Sequence, residues 1–160
     1  MIPHDTLIQH IQQKNIASYL HRFSRLLSSL SEHRWAADGY ADVRNAHVQL
    51  LRNLDPGGTR NTVLAQRAQI TKQTMGRLVR ELTEAGYVSI TPDPSDSRAQ
   101  QVQLTERGQQ FLVYLVSTLS DLEQAFVSTV GDYRYADFIT TLHDLLHFVE
   151  QRHQQLSQQQ

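Results

Sequence analysis

The chain has 160 residues, which is enough for one domain with a few attached helices and too short for a second large domain. Hydrophobic residues make up 39% of the chain and charged residues 19%, so we expect a globular protein and not a disordered one. There is no cysteine, which excludes disulfides, thiolate zinc sites and thiol-based redox switches.

The net charge of −1 does not by itself favour a nucleic-acid ligand. The charge is unevenly distributed, because residues 60–100 carry six basic and four acidic groups whereas residues 101–160 carry three and seven. The N-terminus has no basic segment leading into an apolar one, and the longest apolar run, residues 111–116, is too short to cross a bilayer. These features favour a cytoplasmic protein without a membrane partner, and they give weak support to a basic central surface.

Two stretches of helical periodicity occupy the N-terminal third of the chain. The first predicted helix ends before Asp38-Gly39, and the second is stopped at Asp55-Pro56, where proline presets a turn. In both helices apolar side chains recur every three or four residues and therefore share one face. These stripes consist of Ile16, Leu20, Phe23, Leu27 and Leu30 in the first helix, and of Val43, His47, Leu50 and Leu54 in the second.

The central part of the chain predicts two short helices joined by a tight turn. The first covers residues 62–68, and Thr71 is a favourable N-cap for the second, which we place at residues 71–85. The turn carries Gln69 where a glycine is common, and holding such a residue at positive φ costs about 1–2 kcal/mol. A close helix pair of this kind is typical of a helix-turn-helix.

A change of period after the second helix predicts a β-hairpin over residues 87–104. Residues 87–91 and 101–104 alternate between apolar and polar side chains, and the segment 92–100 between them is rich in turn-forming residues. Helix, helix and hairpin in this order indicate a winged helix-turn-helix, in which the hairpin is the wing.

Two long helices are predicted after the hairpin, so the fold class is mainly α with a small β-hairpin wing. We divide the chain into an N-terminal dimerisation helix (1–37), a DNA-binding lobe (38–108) and C-terminal dimerisation helices (109–160). A lobe of this size cannot cover all the apolar stripes of the terminal helices, which predicts a homodimer. The C-terminal stripes are Phe111, Leu112, Leu115, Leu119, Leu122 and Phe126, followed by Phe138, Leu142, Leu145 and Val149.

The helix at 71–85 has the pattern of a DNA recognition helix. Its apolar residues would turn inward and leave a polar face that can enter the major groove. Gln73 can pair with adenine, Lys72 or Arg77 can bind guanine or phosphate, and backbone N–H groups at the helix start can bind phosphate. The candidate DNA-binding residues on this helix are Thr71, Lys72, Gln73, Gly76, Arg77 and Arg80. The alternative is an ordinary solvated helix face.

Arg98, in the predicted hairpin, is the candidate wing residue, and it would enter a narrow, electronegative minor groove. Asp96 lies two residues earlier, so the alternative is an ion pair between the two side chains. Asp96 can also orient Arg98, and we therefore assign it to wing support.

Six short motifs occur in an order that resembles the MarR family of bacterial regulators, most specifically from residue 41 to 112. The resemblance implies a double-stranded DNA ligand, a homodimer with intertwined terminal helices, and often a small-ligand crevice. In the commonest family pattern two arginines follow the wing aspartate, and Ser97 occupies the first of these places here. The motifs are Leu64-Ala65-Gln66-Arg67-Ala68, Thr71-Lys72-Gln73-Thr74-Met75, Leu78-Val79-Arg80-Glu81-Leu82, Gly86-Tyr87-Val88, Asp93-Pro94-Ser95-Asp96-Ser97-Arg98 and Leu104-Thr105-Glu106-Arg107-Gly108.

Two further sites are open hypotheses. A small anionic or aromatic effector would be bound by residues near the junction of the first two helices, namely Trp35, Tyr40, Arg44 and His47. His143 and His147 lie four residues apart, as in some zinc sites, but no carboxylate stands at a decisive third position, so we expect no metal.

The function that these patterns predict is a sequence-specific transcription regulator, acting as a ligand-responsive repressor on a pseudo-palindromic operator. The alternatives are a winged-helix protein-interaction module without DNA readout and a metal-responsive regulator. We expect neither an enzyme nor a cofactor, because the chain lacks a glycine-rich phosphate loop, a nucleophile elbow and a reactive cysteine.

Overall fold

The computed structural model describes residues 15–158, except for the side chain of Ser97. Part of the predicted dimerisation segment 1–37 therefore lies outside the described residues. The chain divides into two compact units between Phe111 and Leu112. The helices and strands of the described residues are α1 (Ile16–Ala37), α2 (Asn45–Leu51), β1 (Thr59–Arg60), α3 (Asn61–Arg67), α4 (Lys72–Glu84), β2 (Val88–Asp93), β3 (Asp96–Leu104), α5 (Glu106–Val130) and α6 (Asp132–Ser157).

Helix α2 is shorter than its apolar stripe predicted, since Val43 and Leu54 both lie outside it. Its start is fixed by α1, because Oε1 of Glu32 accepts hydrogen bonds from the backbone N–H and the side-chain amide of Asn45, at 2.6 and 2.7 Å. A carboxylate on the exposed N–H groups of a first turn satisfies donors that the helix itself cannot pair. Helix α2 is therefore anchored to α1 at its N-terminus.

The helix-turn-helix forms as predicted. Gln69 in its turn has φ 53°. No other non-glycine residue in the described part of the chain has a positive φ. The hydroxyl of Thr71 accepts from the N–H of Thr74 at 3.1 Å and so caps α4. The inward stripe of α4 is at most 5% exposed and consists of Met75, Leu78, Val79 and Leu82.

The sheet has three antiparallel strands in the order β1-β3-β2, and the strand β1 was not predicted. The turn-rich segment expected at 92–100 is wrong in extent, because β2 continues to Asp93 and β3 begins at Asp96. Asp93 closes this short turn by accepting from the N–H and the hydroxyl of Ser95, at 2.8 and 2.6 Å. Pro92 is tolerated within β2 because β2 is an edge strand.

An aromatic cluster fills the core of the first unit around Phe111, which is fully buried. Trp35, Tyr40 and Tyr87 contact its ring edge to face, with centroids 5.8, 5.0 and 5.7 Å away. The first turn of α5 approaches this core closely, since a Cβ on Gly108 would lie 2.1 Å from the carbonyl oxygen of Tyr87. Glycine at 108 therefore permits this approach.

A polar cluster of Asp42, Tyr87 and Arg107 lies between this core and solvent. The hydroxyl of Tyr87 donates to Oδ1 of Asp42 at 2.7 Å, and Nη2 of Arg107 donates to Oδ2 of Asp42 at 2.8 Å. The guanidinium also lies 4.4 Å from the centre of the Tyr87 ring. Burial, followed by the hydrogen bond to Asp42, raises the pKa of Tyr87 to about 12.

The terminal helices expose much of their apolar surface. In α1 the stripe residues Leu20, Phe23 and Leu30 are 42%, 51% and 61% exposed. In α6 no residue is buried, and its exposed apolar side chains are Tyr133, Phe138, Ile139, Leu145, Leu146, Phe148, Val149 and Leu156. Within residues 15–158 no helix is long and apolar enough to cross a membrane.

Candidate nucleic-acid interface

The outer face of α4 presents the predicted recognition residues to solvent. Lys72, Gln73, Arg77 and Arg80 are exposed, and Thr71 is exposed at the N-cap. Together they form a polar strip along one side of the helix. This strip has the hydrogen-bonding groups that base edges and phosphates require.

Gly76 lies on the same helix but is half-buried. The amide nitrogen of Asn61, at the start of α3, lies 3.8 Å from the position of a Cβ on Gly76. This is an ordinary contact distance, so an alanine at 76 would fit here. The side-chain oxygen of Asn61 is buried and, among the described residues, has no hydrogen-bond partner.

Glu81 connects α4 to the start of α2, and the sequence did not point to it. Its Oε2 receives a hydrogen bond from Nη2 of Arg44 and lies 2.8 Å from Nε2 of His47, which is 3% exposed. On the other side, Nη1 of Arg77 lies 3.8 Å from Oε1. The hydrogen bond from His47, together with the positive charges of Arg44 and Arg77, lowers the pKa of Glu81 below its usual value.

His47 is a buried histidine with both ring nitrogens engaged. The backbone N–H of Arg44 donates to Nδ1 at 3.2 Å, and Nε2 faces Glu81. Because Nδ1 accepts this hydrogen bond, a ring proton on Nε2 is free to be donated to the carboxylate of Glu81. His47 therefore packs and caps α2, which is the structural alternative to a ligand contact.

The wing presents Arg98 to solvent. Among the described residues, no carboxylate lies within ion-pair distance of its guanidinium. Asp96 supports the strand differently from the ion pair considered above, because its Oδ1 accepts from the backbone N–H of Arg98 at 3.1 Å. Its Oδ2 lies 3.7 Å from Nη2 of Arg60.

Asp93 of the wing is bound by Arg60 of β1, and neither residue stood out in the sequence. Nε of Arg60 donates to Oδ2 of Asp93 at 2.6 Å. This hydrogen bond, and those from Ser95, lower the pKa of Asp93 well below its usual range. Arg60 lies on β1 and Asp93 on β2, and the two strands are brought together because both pair with β3, so no local pattern could have indicated the contact.

The four candidate effector residues fall into two separate environments. Trp35 and Tyr40 belong to the aromatic cluster around Phe111, whereas Arg44 and His47 share Glu81. A cavity of about 500 Å³ lies beside the junction of α1 and α2, and Arg44 is the member of the set that lines it. Its other lining residues are Arg25, Ser28, Ser29, Glu32, His33, Ala36, Ala41, Val43 and Asn45.

The two histidines considered for metal binding lie on the exposed surface of α6. Nε2 of His147 lies 2.8 Å from the amide nitrogen of Gln151, and Nδ1 of His143 lies 3.7 Å from Oδ1 of Asp144. Within the part of the chain that the structure describes, no group of three or more histidines and carboxylates is arranged to hold a metal ion.

Comparison with known families identifies the central lobe. Residues 41–99 match the family model described as the MarR family, a stretch that begins just before α2 and extends into β3. This stretch resembles the MarR family, and the chain as a whole shares the winged-helix fold of solved MarR-family structures. No curated protein sequence matches the chain significantly.

Several solved structures share the fold over most of the chain. FabT of Streptococcus pneumoniae, solved in complex with DNA, has a TM-score of 0.73 at 14% identity and covers 85% of this chain and 96% of its own. The S. aureus MepR–DNA complex has a TM-score of 0.67 at 21% identity, with coverages of 85% and 99%. The transcriptional regulator SlyA has a TM-score of 0.69 at 17% identity, with coverages of 86% and 96%.

The MarR-family match includes the strip on α4 and both wing residues, Asp96 and Arg98. It ends before α5, and it leaves out α1. The terminal helices are therefore related to known regulators by fold and not by the family model.

Proposed function

We propose that this protein is a MarR-family DNA-binding transcription regulator of the bacterial cytoplasm, and that it acts as a homodimer on a pseudo-palindromic operator. The exposed polar strip of α4 carries the proposal, because it combines an adenine-reading amide, Gln73, with cations on a helix whose other face is fully buried. FabT and MepR, which share the fold, were solved with DNA. Binding to DNA, and not catalysis, is the role that we assign to this surface.

The homodimer is supported by the apolar surface of α1 and α6. Side chains such as Phe23 and Phe138, each 51% exposed, are costly to leave in water, and a second copy of the same helices would cover them. A two-fold dimer places its two recognition helices about one helical turn of DNA apart, so we expect half-site centres roughly 10 bp apart.

A ligand-responsive repressor is the regulatory role that we propose, with a small anionic or aromatic effector. The cavity beside α1 and α2 supports it, because Arg44 lines this cavity and also binds Glu81 of the recognition helix. An anion in the cavity would compete with Glu81 for Arg44. Its binding would therefore alter a contact of α4 through the side chain of Arg44.

The direct test is binding to the promoter beside the protein's own gene, measured by fluorescence polarisation and footprinting. We expect tight binding to a two-half-site sequence and weak, salt-sensitive binding to a scrambled duplex. Equal affinity for both duplexes, or protection of one isolated half-site, would contradict the proposal. No DNA binding at all would favour the protein-interaction module.

The metal-responsive alternative has a separate test. If EDTA abolished operator binding and zinc alone restored it, His143 and His147 would become the first candidates for its ligands. We expect EDTA to leave operator affinity unchanged.

A further inference from the structure

One side chain, that of Arg60, braces the wing from outside the hairpin. Arg60 is the last residue of β1 and the N-cap of α3, so it belongs to the helix-turn-helix. Its Nε donates to Asp93 at 2.6 Å, and its Nη2 lies 3.5 Å from Oγ of Ser95 and 3.7 Å from Oδ2 of Asp96. One planar guanidinium therefore contacts both sides of the wing turn.

Each of the two wing carboxylates uses one oxygen to shape the turn and the other to face Arg60. Oδ1 of Asp93 accepts from Ser95, and Oδ1 of Asp96 accepts from the backbone N–H of Arg98. The opposite oxygens, both Oδ2, point to the guanidinium. The position of Arg60 thus constrains the groups that set the backbone at Arg98.

The same contacts have an electrostatic effect. Two carboxylates on a loop that approaches DNA would repel its phosphates, and a neighbouring guanidinium offsets them. Asp96 is also occupied by Arg60 and by a backbone N–H, which leaves the guanidinium of Arg98 unpaired among the described residues. An arginine that does not have to break an ion pair is better prepared to enter a minor groove.

We propose that Arg60 is a positioning residue for DNA binding: it neutralises Asp93 and Asp96 and holds the strand that presents Arg98. The inference rests on the proposed DNA-binding function. It does not require Arg60 to touch DNA, and this distinguishes it from a further phosphate-contacting arginine.

A double-mutant cycle on operator DNA separates these two roles. Arg60→Ala is measured in the wild-type background and in the Asp93→Asn/Asp96→Asn background, whose amides keep the oxygens that accept from Ser95 and Arg98. We expect Arg60→Ala to weaken binding about tenfold in the wild type and less than about twofold in the doubly amidated protein. The slope of log affinity against log salt should change only in the wild-type background.

Arg34→Ala is the net-charge control, because it removes one positive charge from α1, where Arg34 faces Asp38 at 3.8 Å. It should change affinity less than about twofold. Equal losses from Arg60→Ala in both backgrounds would mean that Arg60 contacts DNA itself, and would overturn the proposal. No loss from Arg60→Ala, or an equal loss from Arg34→Ala, would overturn it as well.

A measurement without DNA keeps this test independent of the proposed function. Backbone order parameters from nuclear relaxation should fall at residues 94–98 in Arg60→Ala while those of α4 stay unchanged. Unchanged order at 94–98 would reject the bracing role. Failure of the wild-type protein to bind any DNA would instead reject the proposed function, and the relaxation data would still decide whether Arg60 orders the wing.

Discussion

The winged lobe and the terminal helices carry the same amphipathic pattern in sequence but use it differently. In α4 the apolar stripe is buried by the chain's own lobe, with Met75 and Leu82 fully inaccessible. In α1 most of the stripe is exposed, and Phe23 is 51% exposed. Periodicity alone therefore predicts a buried face without saying whether the same chain or a second one buries it.

The two regions also differ in how they are held. In the lobe, ionic hydrogen bonds join segments far apart in sequence, as between Arg44 and Glu81 or between Arg60 and Asp93. In α6 the polar contacts are mostly local, such as the hydroxyl of Thr140 on the carbonyl of Ala136. The lobe thus carries its own specific contacts, whereas we expect the terminal helices to gain theirs from a partner.

We expect the largest effect from a substitution at Phe23, on the exposed apolar stripe of α1. In a symmetric dimer Phe23→Asp places two charges in the interface and removes two buried rings, so the dimer dissociation constant should rise about a thousandfold. Analytical ultracentrifugation measures this, and circular dichroism should show that the lobe stays folded. Ser24→Asp, on the same helix but off the stripe, should leave the dimer intact. If the wild-type protein sedimented as a monomer, the proposal that a second copy covers the apolar stripe of α1 would be refuted.

Leu82→Ala tests the apolar stripe of α4, which the lobe itself buries. Leu82 is fully buried in the lobe, so its truncation should lower the free energy of unfolding by about 2–5 kcal/mol. Urea unfolding at a fixed protein concentration measures the loss. Glu84→Ala, an exposed change on the same helix, should stay within about 0.5 kcal/mol of wild type. Equal effects of the two changes would mean that the lobe core is not as described.

Local patterns in the sequence predicted the elements that are determined locally. The 3.6-residue period and the cap at Thr71 define α4. Gln69, which occupies a turn position where glycine is common, has positive φ. The strand β1 was missed because a strand of two residues is too short to show an alternating pattern, and because its pairing partner β3 is distant in sequence. Glu81 was missed for the same reason, since 34 residues separate it from His47 in sequence. Tertiary ion pairs leave no periodic trace.

Gln73→Ala should lose roughly 1–3 kcal/mol of binding on the cognate operator and little on scrambled DNA. The reason is that a bidentate amide contact contributes only where an adenine stands opposite. Polarisation titrations at several salt concentrations should show an unchanged salt slope. If affinity for both duplexes fell equally, α4 would not be reading bases.

Arg98→Ala should weaken binding to cognate and scrambled DNA by similar factors, because wing arginines contribute electrostatic and shape readout. The slope of log affinity against log salt should become shallower by up to about one unit. Loss confined to the cognate duplex would assign Arg98 to base readout. If affinity for both duplexes stayed unchanged, Arg98 of the wing would not belong to the DNA interface.

The smallest effect that we predict is an acid-dependent one in the lobe. Arg60 and Ser95 hold the pKa of Asp93 well below its ordinary value of 3.8, so the folded state is favoured by the ionised carboxylate. A depressed pKa contributes stability that is fully present above the unfolded value and is lost as pH falls through the folded value. The contribution of Asp93 should therefore be complete at pH 6 and should decline below about pH 4.

The side chain at position 93 cannot ionise in Asp93→Asn, so this variant should have a lower Tm than wild type at pH 6. The difference in Tm should shrink as the pH falls from 4 toward 2. Carboxylates common to both proteins, such as Glu81, lower both melting temperatures and leave this difference unaffected. Ser95→Ala removes one donor but keeps the charge, and its smaller difference from wild type should shrink in the same pH range. Thermal unfolding followed by circular dichroism measures all three proteins. A difference between wild type and Asp93→Asn that stayed constant from pH 6 to 2 would show that the charge of Asp93 does not stabilise the wing.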